Sequence, residues 1–384
     1  MKRVAVVPGF NHTSLSTIRC LADKDVEIWL VGSENRIGPA FFSKIPARRF
    51  VYNNKHELVD CLVSITKQST DKPALLLTED VQVVEVSRNI ELVKRNYRCV
   101  LPPPALIDRL MDKARFSILA KTNRYKVPRT VIVEGREELE HIYHRFPFPF
   151  LLKPYLLHSR KIGSQADLND YLGTFKAINF KSIIIQEWIP GGDDQLYFCF
   201  LFFDSQSNLR AQFVAKKIRQ YPKEYGTTSF CVSVENQQLI DMSVKIFKAL
   251  NYRGFCSIEY KYDERSNEYY IMEPTVGRFN QQVALTSVAG VNFPLIMLNY
   301  LYDSELGCSQ QMNGEYWIYE TNDFFSAMKS CGLLAYLKSL KKADVKVLFS
   351  KHDSRPLFAE VYDIMRHKAR KVLGTHSRSS NNCD

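Results

Sequence analysis

The sequence predicts an α/β N-terminal part followed by an α+β body, and three observations carry this. Residues 1–105 alternate apolar strands with amphipathic helices, Pro102-Pro103-Pro104 then breaks the chain, and beyond it long apolar strands pair across short polar turns. Val4–Val7 is an apolar strand ended by Pro8-Gly9. Asn11-His12-Thr13-Ser14 supplies capping side chains, and Leu15, Ile18 and Leu21 follow at helical spacing. Val26–Val31 is a second strand, Leu62, Val63 and Ile65 belong to another helix, and Ala74–Leu77 is a third strand ending at Thr78-Glu79-Asp80. Strands alternating with helices imply a parallel sheet with right-handed crossovers, whose carboxyl edge is where ligands bind. Gly9-Phe10-Asn11-His12 is one loop at that edge; it is not a GxGxxG fingerprint, so no dinucleotide site is expected.

After the prolines, 105–120 reads as helix and Val127-Pro128-Arg129-Thr130 opens a strand region. Pro147–Pro154 (PFPFLLKP) is a buried strand that carries Lys153, and Ile183–Ile189 is another, ended by Pro190-Gly191-Gly192-Asp193-Asp194. Leu196–Phe203 and Arg210–Lys217 pair across the turn at 204–208, and Leu239–Leu250 is an amphipathic helix.

Composition narrows the function classes. The chain has 384 residues, 45% of them hydrophobic and 24% charged, enough for two or three domains with a large core. No apolar run approaches the roughly 20 residues that cross a bilayer, and the apolar stretch after Met1-Lys2 is too short for a secretory signal. A cytoplasmic protein is expected. Nine cysteines without zinc spacing read as free thiols, Cys256 among them as packing in an apolar strand. The net charge of +11 favours polyanionic partners, but the basic residues are spread along the chain, no nucleic-acid motif accompanies them, and the basic run at 366–378 reads as a solvated terminus. Nucleic acid is therefore not an expected partner.

The most informative stretch is 254–280. Phe255–Tyr262 and Tyr269–Val276 form a hairpin, and a turn centred on Ser266 sets Glu259 opposite Glu273. Ile258, Tyr260, Tyr262, Tyr270 and Met272 then share an apolar face; Ser257, Glu259, Lys261, Ile271 and Glu273 share the other. Like charges directly opposed are destabilising, so either a divalent cation bridges the pair or the carboxylates diverge into water. Lys153 in its apolar strand needs an anion, since an unpaired buried ammonium is costly. Lys113 opens the second domain, and Arg278 follows Glu273 just past the strand end.

The order of these features resembles the ATP-grasp superfamily, from Val4 to about Pro294, and is most similar to an uncharacterised carboxylate–amine ligase-like branch. The stretch Ile271–Arg278 (IMEPTVGR) with Gln281-Gln282, the segment Lys217–Pro222 (KIRQYP) with Gly226, the stretch Leu15–Leu21 (LSTIRCL) and Ser43-Lys44 carry the resemblance. It implies a Rossmann-like N-terminal domain (1–105), a two-subdomain ATP-grasp fold (106–305, dividing near 190) and a small C-terminal region (306–384) ending in a basic tail. Lys113, Lys153 and Lys161 would contact the ATP phosphates. Gln186, Glu187 and Ile189 would line the adenine pocket, Asp193 or Asp194 would hold the ribose, and Glu259 and Glu273 would hold Mg2+ or Mn2+. Arg219 and Arg278 would stabilise charge on the transferring phosphoryl group.

Two departures stand out. The segment matching the glycine-rich flap, 155–163 (YLLHSRKIG), has one glycine, with Arg160 and Lys161 as stand-ins for backbone donors; Thr275 occupies the position where many members place a second-metal asparagine. The activity the resemblance implies is an ADP-forming ligase that activates a carboxylate as an acyl phosphate and joins it to an amine, working on small molecules, with a homodimer allowed. The irregular flap keeps a second reading open: a nucleotide-binding regulatory protein or pseudo-enzyme without ligase turnover. Asp353 and Arg355, in the C-terminal region, are candidates for substrate contact or for a surface salt bridge.

Overall fold

The computed structural model describes residues 3–365 apart from 54–57, 155–159, 175–182, 225, 308 and 363. Four parallel strands form the N-terminal sheet: β1 (Arg3–Pro8), β2 (Val26–Ser33), β3 (Arg48–Tyr52) and β4 (Ala74–Leu75), in the order β3-β2-β1-β4. The helix His12–Leu21 follows β1 and is capped by the Asn11 side chain, which accepts from the Ser14 amide at 2.9 Å. Gly9 makes that turn with φ +97°, and a Cβ there would lie 2.8 Å from Ser14 Oγ. The sheet is the parallel one its alternating pattern predicts, with the short edge strand β3 in addition.

The predicted helix at 105–120 is two helices, Pro104–Met111 and Lys113–Thr122. Asp112 separates them because its carboxylate caps the second, accepting from the Arg115 amide at 2.8 Å. A second four-stranded sheet then follows: β5 (Thr130–Val133), β6 (Phe150–Pro154), β7 (Arg160–Ile162) and β8 (Ile183–Glu187), ordered β5-β8-β6-β7 around its own core of Leu139, Phe150, Leu152, Ile162, Leu168 and Ile185. The flap expected at 155–163 lies outside the described residues up to 159; Arg160 and Lys161 stand on β7.

The largest sheet has seven strands. They are β9 (Leu196–Phe203), β10 (Leu209–Tyr221), β11 (Thr227–Ser233), β12 (Gly254–Asp263), β13 (Glu268–Val276), β14 (Tyr316–Ile318) and β15 (Val345–Lys346), in the order β13-β12-β9-β10-β11-β14-β15. Its centre is covered on both faces, and the sequence LYFCFLFF of β9 says why. Phe198, Phe200 and Phe202 point to the core shared with the N-terminal sheet, while Cys199, Leu201 and Phe203 point to the helix Gln237–Ala249. Residues beyond 305 contribute β14 and β15 to this sheet.

The β12–β13 hairpin has the predicted register at Glu259↔Glu273, but the pairing shifts next to it, to Tyr260↔Ile271. Met272 is the extra residue of a bulge. It moves Ile271 onto the core face with Ile258 and Tyr260, where 1% of its surface is exposed, instead of the carboxylate face assigned by simple alternation. Tyr270 pairs with Lys261.

The C-terminal segment is tied back to the N-terminal sheet. Asp353 is buried and accepts from Arg19, from Ser43 Oγ at 2.8 Å and from the Lys44 amide at 3.0 Å. Arg19 also donates to the carbonyls of Val347 and Leu348. Asp353 makes the salt bridge that was one of its two expected roles, with Arg19 at 3.3 Å, but buried and not on the surface, and Ser43-Lys44 is its docking point.

Candidate functional site

The three sheets meet around one cleft of about 940 Å³, a volume suited to a nucleotide-sized ligand. The carboxyl edge of the parallel sheet supplies Asn11, Thr13, Arg36, Thr78, Glu79 and Asp80. The β5–β8 sheet supplies Lys153 and the hinge Glu187-Trp188-Ile189, and the seven-stranded sheet supplies Lys217, Ser257, Glu259, Lys261 and Glu273.

Glu259 and Glu273 face each other on neighbouring strands with both side chains partly exposed to the cleft. Each is held by its own lysine. Lys217 Nζ lies 2.9 Å from Glu259 Oε2, and Lys113 Nζ lies 3.7 Å from Glu273 Oε2. These ion pairs offset the repulsion that directly opposed carboxylates would suffer. Two carboxylates suffice for a Mg2+ that takes its remaining ligands from phosphate and water. No group of three or more acidic, histidine or cysteine side chains that could hold a metal ion exists among the described residues.

Lys153 projects from β6 and donates to Gln186 Oε1 at 2.8 Å. Burial, reinforced by nearby Lys113, pushes its ammonium down to about 8, against the pull of Glu273 and Glu259. Burial also pushes Lys261 down to about 8, opposed by Asp193; its Nζ donates to the carbonyls of Gly191, at 2.9 Å, and Gly192. The cleft floor is thus rich in cations that have only partial compensation, which suits a polyanionic ligand.

Of the residues singled out in the sequence, Lys113, Lys153, Glu187, Ile189, Glu259, Glu273 and Arg278 line this cleft together. Glu187 turns its carboxylate to the Arg129 amide at 3.0 Å, leaving its backbone at the hinge. Arg278 makes a two-pronged contact with Asp80 at 2.6 and 3.0 Å, joining the end of β13 to the loop after β4. Gln186 is buried behind Lys153 as its acceptor and does not line the cleft.

Asp193, Asp194, Lys161 and Arg219 also lie off its lining. Asp193 accepts from the Gln220 amide and side chain and from the Glu224 amide, a tie between the hinge and β10. Lys161 sits 4.2 Å from the centre of the Trp188 ring and 3.4 Å from Glu224, linking β7 to the loop after β10. Arg219 points to the opposite face, into a buried pair with Asp323 at 2.9 and 2.7 Å. The cause is a bulge: β10 pairs Lys217↔Cys231 and then Arg219↔Phe230, so Ile218 is extra and the two cations fall on opposite faces.

Lys217, Lys261 and Asn280 join the site without a role assigned from sequence. Lys261 was signalled by its place two residues after Glu259, on the same face of a strand. Lys217 had only its position inside KIRQYP. Gln281, which also lines the cleft, keeps a buried Oε1 without a hydrogen-bond partner, an acceptor available to a ligand donor.

Residues 228–300 match the family described as carbamoyl-phosphate synthase L chain, ATP binding domain. D-aspartate ligase of Enterococcus faecium is 22% identical over 267 residues, 63% of each chain, so the match spans less than two thirds of that ligase. The C-terminal section of carbamoyl phosphate synthase large chain from Methanopyrus kandleri is 22% identical over 216 residues, 53% of this chain and 39% of that one. Among solved structures, N5-carboxyaminoimidazole ribonucleotide synthetase in its ADP complex superposes with a TM-score of 0.63 at 12% identity, covering 81% of this chain and 79% of that one. The biotin carboxylase domain of Hydrogenobacter thermophilus 2-oxoglutarate carboxylase, crystallised with MgADP and bicarbonate, gives 0.63 at 15%, covering 82% and 73%.

Proposed function

We propose that this chain, whose fold is that of ATP-grasp proteins and whose residues 228–300 match an ATP-binding domain, is an ADP-forming ligase that uses Mg-ATP to activate a small-molecule carboxylate and joins it to an amine. The observation that carries this reading is the convergence of Glu259, Glu273, Lys113, Lys153 and Lys217 on one cleft beside the hinge Glu187–Ile189. Fold relatives solved with ADP or MgADP, and a relative named a D-aspartate ligase, support it.

In this reading the hinge backbone takes the base and Lys113 and Lys153 take the phosphates. Glu259 and Glu273 would hold Mg2+, which would supply neutralising charge to the triphosphate. The substrate carboxylate attacks the γ-phosphorus, ADP leaves, and an amine then displaces phosphate from the acyl phosphate. The chain positions the reactants and places fixed cations around the transferring group. Arg278 reaches the same region from the end of β13. Lys161 and either Asp193 or Asp194 enter this reading as closing contacts: Lys161 bridges hinge and loop, and Asp193 fixes the hinge geometry. The domain division proposed is 1–105, 106–305 and 306–384, with the last segment contributing strands to the sheet of the second.

The test is thermal stability with ATP, with and without Mg2+. Ligand bound to the native state raises the midpoint by mass action. A Mg2+-dependent rise in the wild type that Glu273→Gln loses is the expected result; no rise at millimolar ATP would overturn the reading. A rise without ADP release under any combination of carboxylates and amines would instead favour a nucleotide-binding protein without ligase turnover.

A pH dependence follows from Lys153. Its ammonium is disfavoured in the folded chain, so it opposes folding below about pH 8, and that opposition fades as pH rises toward the unfolded value near 10.4. Triphosphate binding requires the charged form. Nucleotide affinity is expected to fall as pH rises through 8, approaching tenfold per unit above it, in a titration of ATP binding from pH 6.5 to 9.5. A flat profile would remove Lys153 from the phosphate site.

A further inference from the structure

Ten of the nineteen large apolar side chains that stand exposed among the described residues fall between Phe324 and Met365. Their densest group is on a helical hairpin formed by Glu320–Ser330 and Leu333–Lys342. The second helix, LLAYLKSLKK, turns Tyr336, Ser339 and Leu340 inward, toward Phe230, Ile318 and Ala343. Its outer face shows Leu333, Leu334 and Leu337, exposed by 50, 76 and 48%. Phe324 and Met328 add to this surface from the first helix, and Phe324 meets Tyr336 edge-on with ring centres 5.4 Å apart.

The charges carried by the helix that bears the leucines have one sign, and the first acidic residue after it, Asp344, turns its carboxylate to the Tyr316 amide. From Lys329 to Ala343 the chain carries Lys329, Lys338, Lys341 and Lys342 and no acidic residue. The acidic side chains of the first helix are turned inward. Glu320 is buried and accepts from the Leu348 and Phe349 amides, and Asp323 is buried against Arg219. Lys338 and Lys341 are exposed beside the leucines.

We propose that this hairpin docks the protein on an anionic lipid surface. Leucines at i, i+1 and i+4 flanked by lysines at i+5 and i+8 form an apolar stripe with a cationic border, the pattern of helices that lie in a bilayer interface. The leucines enter the acyl boundary while the lysines meet the headgroups. A second copy of the chain fits less well, because a two-fold contact through this face would set the lysines of one helix against those of the other, which carries no carboxylate between Lys329 and Ala343. The proposal does not depend on the ligase reading. No helix among the described residues is long and apolar enough to cross a membrane, so the attachment is peripheral.

The experiment is co-sedimentation of the full chain with vesicles of phosphatidylglycerol and phosphatidylcholine in equal parts, against vesicles of phosphatidylcholine alone. Binding to the anionic vesicles only, weakening with salt, is expected. Leu334→Glu/Leu337→Glu should abolish it, and Lys338→Gln/Lys341→Gln should weaken it by about tenfold or more. An unchanged thermal midpoint in both variants shows that they fold. Both keep the basic run beyond residue 365, so binding that stays at the wild-type level in both comes from that run and overturns the assignment. Wild type remaining in the supernatant also overturns it. So does self-association in solution that Leu334→Glu/Leu337→Glu removes while no vesicle binding is seen, which would assign the face to a second copy.

Discussion

Asp323→Ala should lower the free energy of unfolding by about 3–5 kcal/mol, measured by denaturant titration. Asp323 is fully buried, and Arg219, only 14% exposed, depends on it for a two-pronged ion pair. Ser229 Oγ donates to the same carboxylate at 3.0 Å. Removing the carboxylate leaves a guanidinium with Ser339 Oγ at 2.6 Å and the Phe230 ring 4.8 Å from its carbon, neither of which supplies negative charge. The cost is mostly that of the uncompensated cation. Arg219→Met/Asp323→Leu, which removes both charges, should therefore recover much of the loss. If Asp323→Ala unfolds like the wild type and instead loses only turnover, Arg219 acts on the reaction and not on the fold.

Lys153→Met should separate stability from function. The ammonium is partly buried and its charged form is disfavoured by its surroundings, so an apolar side chain of similar length should leave stability at neutral pH unchanged or raised. Gln186 Oε1 loses its donor, a smaller penalty of opposite sign. Nucleotide-induced stabilisation should nearly vanish, and ADP release should fall by roughly 10²–10³, the usual effect of deleting one preorganised donor to developing charge. Equal loss of stability and turnover would mean that Lys153 serves the fold alone. A site residue whose removal stabilises the protein is the expected signature of a cation kept for its ligand.

The fold was legible where local pattern and burial agree. The parallel N-terminal sheet follows from its alternation, the Asn11 cap from its side chain, and the Glu259↔Glu273 register from counting outward from Ser266. The misses trace to insertions of a single residue that leave no mark on composition. Met272 interrupts the hairpin and sends Ile271 to the core, and Ile218 interrupts β10 and sends Arg219 away from Lys217. Strict alternation puts Lys217 and Arg219 on one face, and only the paired backbone reveals that the bulge parts them. Asp193 and Gln186 took their expected roles from the family resemblance, yet their partners, Gln220 and Lys153, lie 27 and 33 residues away. Such partners are set by tertiary packing and not by neighbours in sequence.

The segment beyond residue 305 closes one side of the large sheet. Without β14, β11 would be an outer strand of the large sheet, with the backbone groups on the side away from β10 unpaired and Phe230, Cys231 and Val232 along it. A long apolar strand of that kind templates pairing with any other chain that offers a strand. β14 occupies that side, and β15, only two residues long, becomes the new boundary. A two-residue boundary gives an incoming strand almost nothing to pair with, so the C-terminal segment guards this side of the sheet against growing from one molecule into the next.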